Sequence, residues 1–578
     1  MSSRASRGHG MQINRRWALG LGAAASVALA SAGRAATVGA ARINVLAPGA
    51  GDAGAMLKAL GDYAATEMNA WGLPGMTLSV RGPKGLRAVM TLGLSDIERG
   101  LPVRPDQLFQ IGSISKSLVA LCLYRLAAQG RLNLDAPMAE VLPGVPLPVP
   151  VTVQQLLEHS SGLAHDAPLF PRVNGNMLWT GFTPGTRFSY SNTGYDLLGH
   201  VVSQITGKTY AAACRELVLV PLGMTHAEPV IVARDRPRYA IGYVPTLGDR
   251  VYFPGAEWTA GPWFDADIPA GSVAATPADM LRYLDMLAQL AAGKGGALMT
   301  DALAKRFVTA TVDAPDFGKG ARYGAGLATI DIDDHKCLHH TGGMISFSSS
   351  MMFDAAVDGG VFASSNVGNI NYRPREITRY GCRLLRAYAE GKPLPETPAV
   401  RTQPPVEDPI NYIGNYRAAN GSAIDIVPYF DGIAVRVGSV YGSMKPIGAT
   451  NFLTDHPALY AHEIAFDAGS TTRDRLWWGG TLYGRDAPLA TPPVPAKLAA
   501  RAGSYYSSDS WVGGISVVAR GDTLVAEGAG PLSESPDGSW RFADSEMAAE
   551  RLWFDAPLAG RMQRASFSGG DMWRFNDV

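Results

Sequence analysis

Ser113 and Lys116 stand three residues apart in Phe109-Gln-Ile-Gly-Ser-Ile-Ser-Lys-Ser-Leu-Val-Ala120, where a glycine-bearing entry turns into an apolar, helix-periodic run. Residues i and i+3 share a helix face, so this spacing brings an amine to a hydroxyl. A serine is a weak nucleophile until a base takes its proton. A lysine serves as that base when burial and neighbouring positive charge lower its pKa. A capping serine followed by a surface lysine has the same spacing, so the pair gains meaning only from partners elsewhere.

Two further stretches offer such partners. Phe188-Ser-Tyr190-Ser-Asn192 sets a phenol two residues from an amide, just after Thr183-Pro-Gly-Thr. A tyrosine near positive groups can lose its proton and act as a base. Asn192 can hold both Lys116 and a substrate carbonyl. His340-Thr-Gly342-Gly343 ends a strand-like run. Its small residues let a substrate backbone lie against the strand edge, and a backbone N–H there can face an oxyanion. His159 closes a short helix pattern and reads as a structural hydrogen-bonder. His335-x-Cys337-x-His339 puts three potential zinc ligands on one strand face. No fourth ligand is evident beside them, so neither a metal nor any other cofactor is expected.

The elements that must position these residues are legible in outline. Residues 55–71 read as an amphipathic helix with Met56, Leu57, Leu60, Tyr63 and Met68 on one side. Residues 75–80 and 86–92 form a predicted hairpin around Gly-Pro-Lys-Gly. A helix runs over 118–129 to Gly130. Thr152 with Gln155 makes a capping box, and Thr276-Pro277 starts a later helix. Strands are expected at 323–330, 335–340, 346–353 and 360–365, then a helix at 377–388. Strands at both ends and helices between suggest one antiparallel sheet built by both ends of the region.

Composition shifts at residue 392. A proline-rich linker spans 393–406, and beyond it short strand runs alternate with turns. Gly414-Asn-Tyr416, Ile424 to Val427 and Phe466 have counterparts in Gly503-Ser-Tyr505, Ile515 to Val518 and Phe554. The offset is about 90 residues, a weak internal duplication giving two small antiparallel barrels, 407–488 and 489–578. One large irregular β-domain is the competing reading.

The chain has 578 residues, 47% hydrophobic and 18% charged, with zero formal net charge, so nothing points to nucleic acid. Cys122, Cys214, Cys337 and Cys382 lack C-x-x-C spacing and read mostly as buried hydrophobes, with one bridge open to an oxidising compartment. Asn14-Arg15-Arg16-Trp17 followed by an Ala/Gly-rich run reads as a signal peptide over 1–36 of the twin-arginine type. Export to the periplasm is expected, with no stable membrane insertion after cleavage.

Taken in order, Ser-x-x-Lys, Tyr-x-Asn and His-x-Gly resemble the motifs of the serine β-lactamase and penicillin-recognising superfamily. Leu156-Leu-Glu-His-Ser-Ser-Gly-Leu163 is similar to that family's Leu-Leu-x-His-Thr-Ser-Gly-Leu, and Pro221-Leu-Gly-Met224 and Ala270-Gly-Ser to Asp279-Met280 also match. Tyr190-Ser-Asn192 is the class C type. His340 stands where class C β-lactamases carry lysine, as in esterases and D-aminopeptidases of the group. The resemblance implies an α/β/α sandwich with an antiparallel sheet and an all-helical lobe over 37–392. The two β-units are similar to the barrels of bacterial D-aminopeptidase.

It further implies acyl transfer through a serine ester. Ser113 is the nucleophile, Lys116 and Tyr190 share the proton work, and Asn192 positions the acyl amide. Gly342 and Gly343 line the oxyanion strand, and His340 sets the field around Tyr190 or binds a substrate carboxylate. The partner is a small peptide or an ester. A peptidase for short peptides with D- or unusual residues, including linearised cyclic peptides such as microcystins, is the leading expectation. A carboxylesterase, a β-lactamase and a non-catalytic peptidoglycan-binding protein are the alternatives.

Overall fold

The hairpin forms as its turn chemistry suggests, Gly75–Arg81 pairing with Arg87–Asp96 around the single turn Pro83–Gly85. The computed structural model describes residues 38–576 except 48, 50–51, 430–431, 470–471, 510–511 and 543–547. The expected leader at 1–36 lies outside the described residues. Among the described residues no helix is long and apolar enough to cross a membrane.

Gly359–Ser365 returns to pair with Gly75–Arg81, so both ends of the region do share one sheet. Among the described residues the sheet has ten strands, all neighbours antiparallel, running from Arg42–Ala47 at one edge to Val312–Asp313 at the other. Its central strands Ser348–Asp354 and Gly359–Ser365 are buried along their whole length, because both faces are covered. One face packs on helices Gly54–Trp71 and Arg375–Glu390 through Leu60, Tyr63, Ile377 and Leu384. The other meets a helical lobe whose core joins Leu121 of Ser115–Ala128, Leu197 of Asn192–Thr206 and Leu284 of Pro277–Ala291.

Side-chain caps fix where the lobe helices start. Capping boxes form at Thr152 with Gln155 and at Thr276 with Asp279. Ser191 accepts from the Gly194 N–H and so sets Asn192 as the first residue of its helix.

Two expectations change, and the cysteines, buried as read, show an arrangement that the sequence does not. The run 323–330 is two strands, Arg322–Tyr323 and Ala328–Ile332. Between them Gly326 takes φ +76°, and a Cβ there would stand 2.8 Å from the Ser117 backbone, so the chain turns to pass the nucleophile's helix. The run at 346 enters its strand only at Ser348, because Met344 N–H closes a turn on Phe347 O at 2.8 Å. The cysteines lie in two neighbouring pairs, Cys122 with Cys214 and Cys337 with Cys382, all four buried free thiols.

Beyond the linker, the strands from Gly414–Arg417 to Thr481–Arg485 close one eight-stranded barrel, and those from Gly503–Tyr506 to Gly570–Asn576 close a second. The duplication is visible in side chains. Arg485 donates to the Tyr416 hydroxyl at 3.0 Å and Arg574 to the Tyr505 hydroxyl at 2.9 Å, each pair 69 residues apart.

Candidate active site

Ser113 sits in the single turn Gly112–Ile114 that leads into the helix Ser115–Ala128. Lys116, fully buried one turn on, brings Nζ to 3.1 Å from Ser113 Oγ. The same Nζ donates to Asn192 Oδ1 at 2.6 Å and to the Ala270 carbonyl at 2.8 Å. Those two acceptors aim the third position of the nitrogen at Ser113. The apolar helix thus has a chemical use: it keeps the amine out of water and beside one hydroxyl.

The Tyr190 ring lies 4.8 Å from Lys116 Nζ, with its phenol on the Ser113 side. Burial pushes the phenol well above its usual range, and the neighbouring Ser113 hydroxyl only partly opposes this. The ring is held by aromatic packing, with His159 at 4.1 Å and His165 stacked at 5.5 Å. His159 is structural, as expected: it adopts φ +57°, and its Nδ1 accepts the Ser191 N–H at 3.0 Å.

His340 is buried, 6.1 Å from the Tyr190 ring. Its Nδ1 meets Thr341 O at 2.6 Å and its Nε2 meets the Tyr323 hydroxyl at 3.0 Å. Nδ1–H donates to the carbonyl, so Nε2 accepts from the tyrosine. Burial first, and then the Lys116 charge, push its pKa well down. A neutral imidazole with both nitrogens occupied has nothing to offer a substrate carboxylate, and of the two expected roles only the influence on Tyr190 fits.

Glycines let the nucleophile's turn touch the strand His335–Gly343. Gly112 takes φ +56°, and a Cβ on it would lie 2.5 Å from Gly343 N. A Cβ on Gly342 would lie 1.8 Å from Ile111 O. The Ser113 and Gly343 backbones can face one oxyanion only because these positions carry no side chain.

The strand residues weighed as metal ligands are otherwise engaged. Arg386 reaches Asp354 at 2.5 Å and Cys337 Sγ at 3.4 Å, His335 pairs with Asp354 at 3.1 Å, and His339 Nδ1 meets Met351 O at 2.8 Å. Among the described residues no cluster of three such side chains is set to hold a metal ion. Trp258 is packing, its Nε1–H on Gly72 O at 2.7 Å. Trp263 and Phe264, by contrast, line a cavity of about 530 Å³ that none of Ser113, Lys116, Tyr190, Asn192 and His340 enters.

Sequence reasoning missed His165, Asp166, Tyr323, Arg373 and Glu550. Asp166 Oδ1 accepts from Asn192 Nδ2 at 2.7 Å and Oδ2 lies 2.5 Å from His165 Nδ1. Arg373 lies against Gly343, where a Cβ would meet its guanidinium at 1.9 Å. For Asp166 the one available signal was its place just after the Leu163 motif; the others have none.

The chain belongs to the β-lactamase family, whose model matches residues 61–380, more than half of the sequence. Over 235 residues it is 30% identical to Penicillin-binding protein 4 of Amycolatopsis lactamdurans, covering 37% of this chain and 59% of that protein. Over 183 residues it is 35% identical to Esterase EstB of Burkholderia gladioli, covering 26% of this chain and 45% of that one. The chain thus spans about half the length of these relatives. In fold it is similar to the octameric penicillin-binding protein homologue from Pyrococcus abyssi, with a TM-score of 0.52 at 20% identity, over 73% of this chain and 98% of the other. Proteins of this fold are serine hydrolases as a class.

Proposed function

We propose that the chain is a serine peptidase acting through an acyl-enzyme on Ser113, with short peptides carrying D- or unusual residues as substrates, linearised cyclic peptides among them. The observation that carries the serine-ester chemistry is the three-way seat of Lys116 Nζ between Ser113 Oγ, Asn192 Oδ1 and Ala270 O. Once Lys116 has shed one proton, its two remaining N–H groups stay on those carbonyl oxygens and the amine lone pair faces the serine proton. Ser113 Oγ bonds to the substrate carbonyl carbon as its proton passes to Lys116, and the carbonyl electron pair moves onto the oxygen at the Ser113 and Gly343 N–H groups. Burial keeps Tyr190 protonated, which fits it to donate to the leaving nitrogen as the C–N bond breaks. The Lys116 proton then replenishes the phenol, and water hydrolyses the ester.

The neutral His340 supports a peptidase or esterase over a β-lactamase. The relative named as an esterase favours ester cleavage as the second reading. Ser113→Ala is expected to abolish turnover with the fold intact. A fluorophosphonate should label Ser113 in the parent protein, and absence of labelling would leave a binding protein. Assays on L- and D-peptides, p-nitrophenyl esters and nitrocefin rank the substrates; fast nitrocefin hydrolysis without peptide cleavage would overturn the peptidase reading.

A further inference from the structure

In the loop between Val153–Leu157 and Asn192–Thr206, the two peptide groups that flank the His165 Cα are each held by a hydrogen bond. The His165 carbonyl accepts the Asn192 N–H at 2.7 Å and the Thr193 N–H at 3.3 Å. The His165 N–H donates to Glu550 Oε1 at 2.7 Å, across 385 residues of sequence. Next to it, Asp166 takes the Asn192 side chain, whose Oδ1 in turn takes Lys116. Backbone and amide of Asn192 are therefore both set by His165-Asp166, and that pair is tied to a residue of the second barrel.

Glu550 is 5% exposed, and its other oxygen accepts from Ser568 Oγ. Burying a carboxylate is costly and, as adhesive, poor value. The junction has cheaper adhesion close by. Trp179 Nε1–H donates to Ala549 O at 2.7 Å, and Trp179 packs edge-on against Trp553 at 4.9 Å. Gly181 meets Ala548 and Ala549 so closely that a Cβ would stand 2.4 Å from Ala548 O. What Glu550 adds is the fixing of one N–H, belonging to the residue whose carbonyl anchors the active-site asparagine.

We propose that Glu550 is a positioning residue for acyl transfer: it fixes the His165 N–H and so holds in place the residue whose carbonyl anchors Asn192, and through Asn192 Lys116, so that the second barrel completes the active site of the catalytic domain. This rests on the serine-ester reading above. Displacement of a reacting group by about 1 Å can cost about a hundredfold in rate.

The test is made on the full chain, by the rate of Ser113 labelling with a fluorophosphonate and by kcat and KM for a p-nitrophenyl ester. Glu550→Ala should slow labelling and lower kcat by about ten- to a hundredfold, with little change in KM. Glu550→Gln, which keeps a carbonyl acceptor for the His165 N–H, should restore most of the rate. Trp179→Phe removes the neighbouring junction bond and trims the ring between Trp553 and Arg551 without touching Glu550; it should lower the melting temperature and leave labelling at the parent rate. Should Glu550→Ala fail to fold, Ser568→Ala, which frees the far oxygen of Glu550 and the Arg551 N–H but leaves the bond to His165, should show a smaller loss in the same direction. Parent-like labelling of Glu550→Ala, or of Ser568→Ala where that variant replaces it, would sink the proposal, as would equal slowing by Glu550→Ala and Trp179→Phe. An unlabelled parent protein would instead remove the serine-ester reading.

Discussion

Tyr190 and His340 are displaced in opposite directions by one cause, since burial disfavours the phenolate and the imidazolium alike. The pair is therefore neutral at neutral pH, and Lys116 is the charged or chargeable group between them. The consequence is readable in leaving-group dependence. An amide nitrogen must be protonated as it leaves, whereas p-nitrophenolate leaves unaided. Tyr190→Phe should lower amide turnover by about 10²- to 10⁴-fold and p-nitrophenyl ester turnover by less than about tenfold. Equal losses on both substrates, measured as kcat, would reassign Tyr190 to the first proton transfer. Ser113, Lys116, Tyr190, Asn192 and His340 were legible because each is fixed by local spacing or by a strand end. His165, Asp166 and the Ala270 carbonyl were not, because backbone groups and side chains brought together by a loop leave no periodic mark.

At the level of elements, glycines and buried polar groups decide how closely strands and helices approach. The interruption after Tyr323 escaped detection because its apolar alternation continues through Gly324 to Leu327 while the backbone turns. The helix Gly54–Trp71 was legible from its period, but not the acid it buries. Glu67 is 4% exposed and accepts from the Tyr372 hydroxyl at 2.7 Å. Burial raises its pKa from 4.5 to about 7, opposed by the hydroxyls of Tyr372 and Tyr63 and aided by Glu376. The unfolded chain then binds fewer protons than the native one between those values, so stability falls as pH rises across that window and stays low above it. Glu67→Gln keeps the acceptor without the charge. Its catalytic domain should gain on the order of 2 kcal/mol at about pH 8 and almost nothing at about pH 4, by denaturant unfolding. A pH slope matching the parent's would mean that Glu67 ionises freely in the fold.

For the whole molecule, the duplication behind the linker was legible because both barrels keep the same Gly-x-Tyr start, β-branched run and later phenylalanine, whereas their docking was not, since side chains brought together across two barrels leave no such mark. Glu463 of the first barrel is 2% exposed and accepts from Arg520 of the second at 3.0 Å, from the Gly528 N–H at 3.1 Å and from Asn451 at 3.0 Å. Beside it His462 meets Glu527 at 2.8 Å. A buried pair of this kind is weak evidence of net stability, but removing one partner strands the other charge. Arg520→Ala should therefore cost about 3–5 kcal/mol in the unfolding of the barrels, followed by melting and by limited proteolysis. The double variant Arg520→Leu with Glu463→Leu should recover only part of that loss: Glu463 is no longer left buried alone, but Glu527, 3.7 Å from Arg520, still loses that partner. Labelling of Ser113 should stay at the parent rate in the double variant, since the contacts of Ala549 with Trp179 and of Glu550 with His165 are left untouched. A fall in labelling there would mean that the first barrel also holds the second against the cleft.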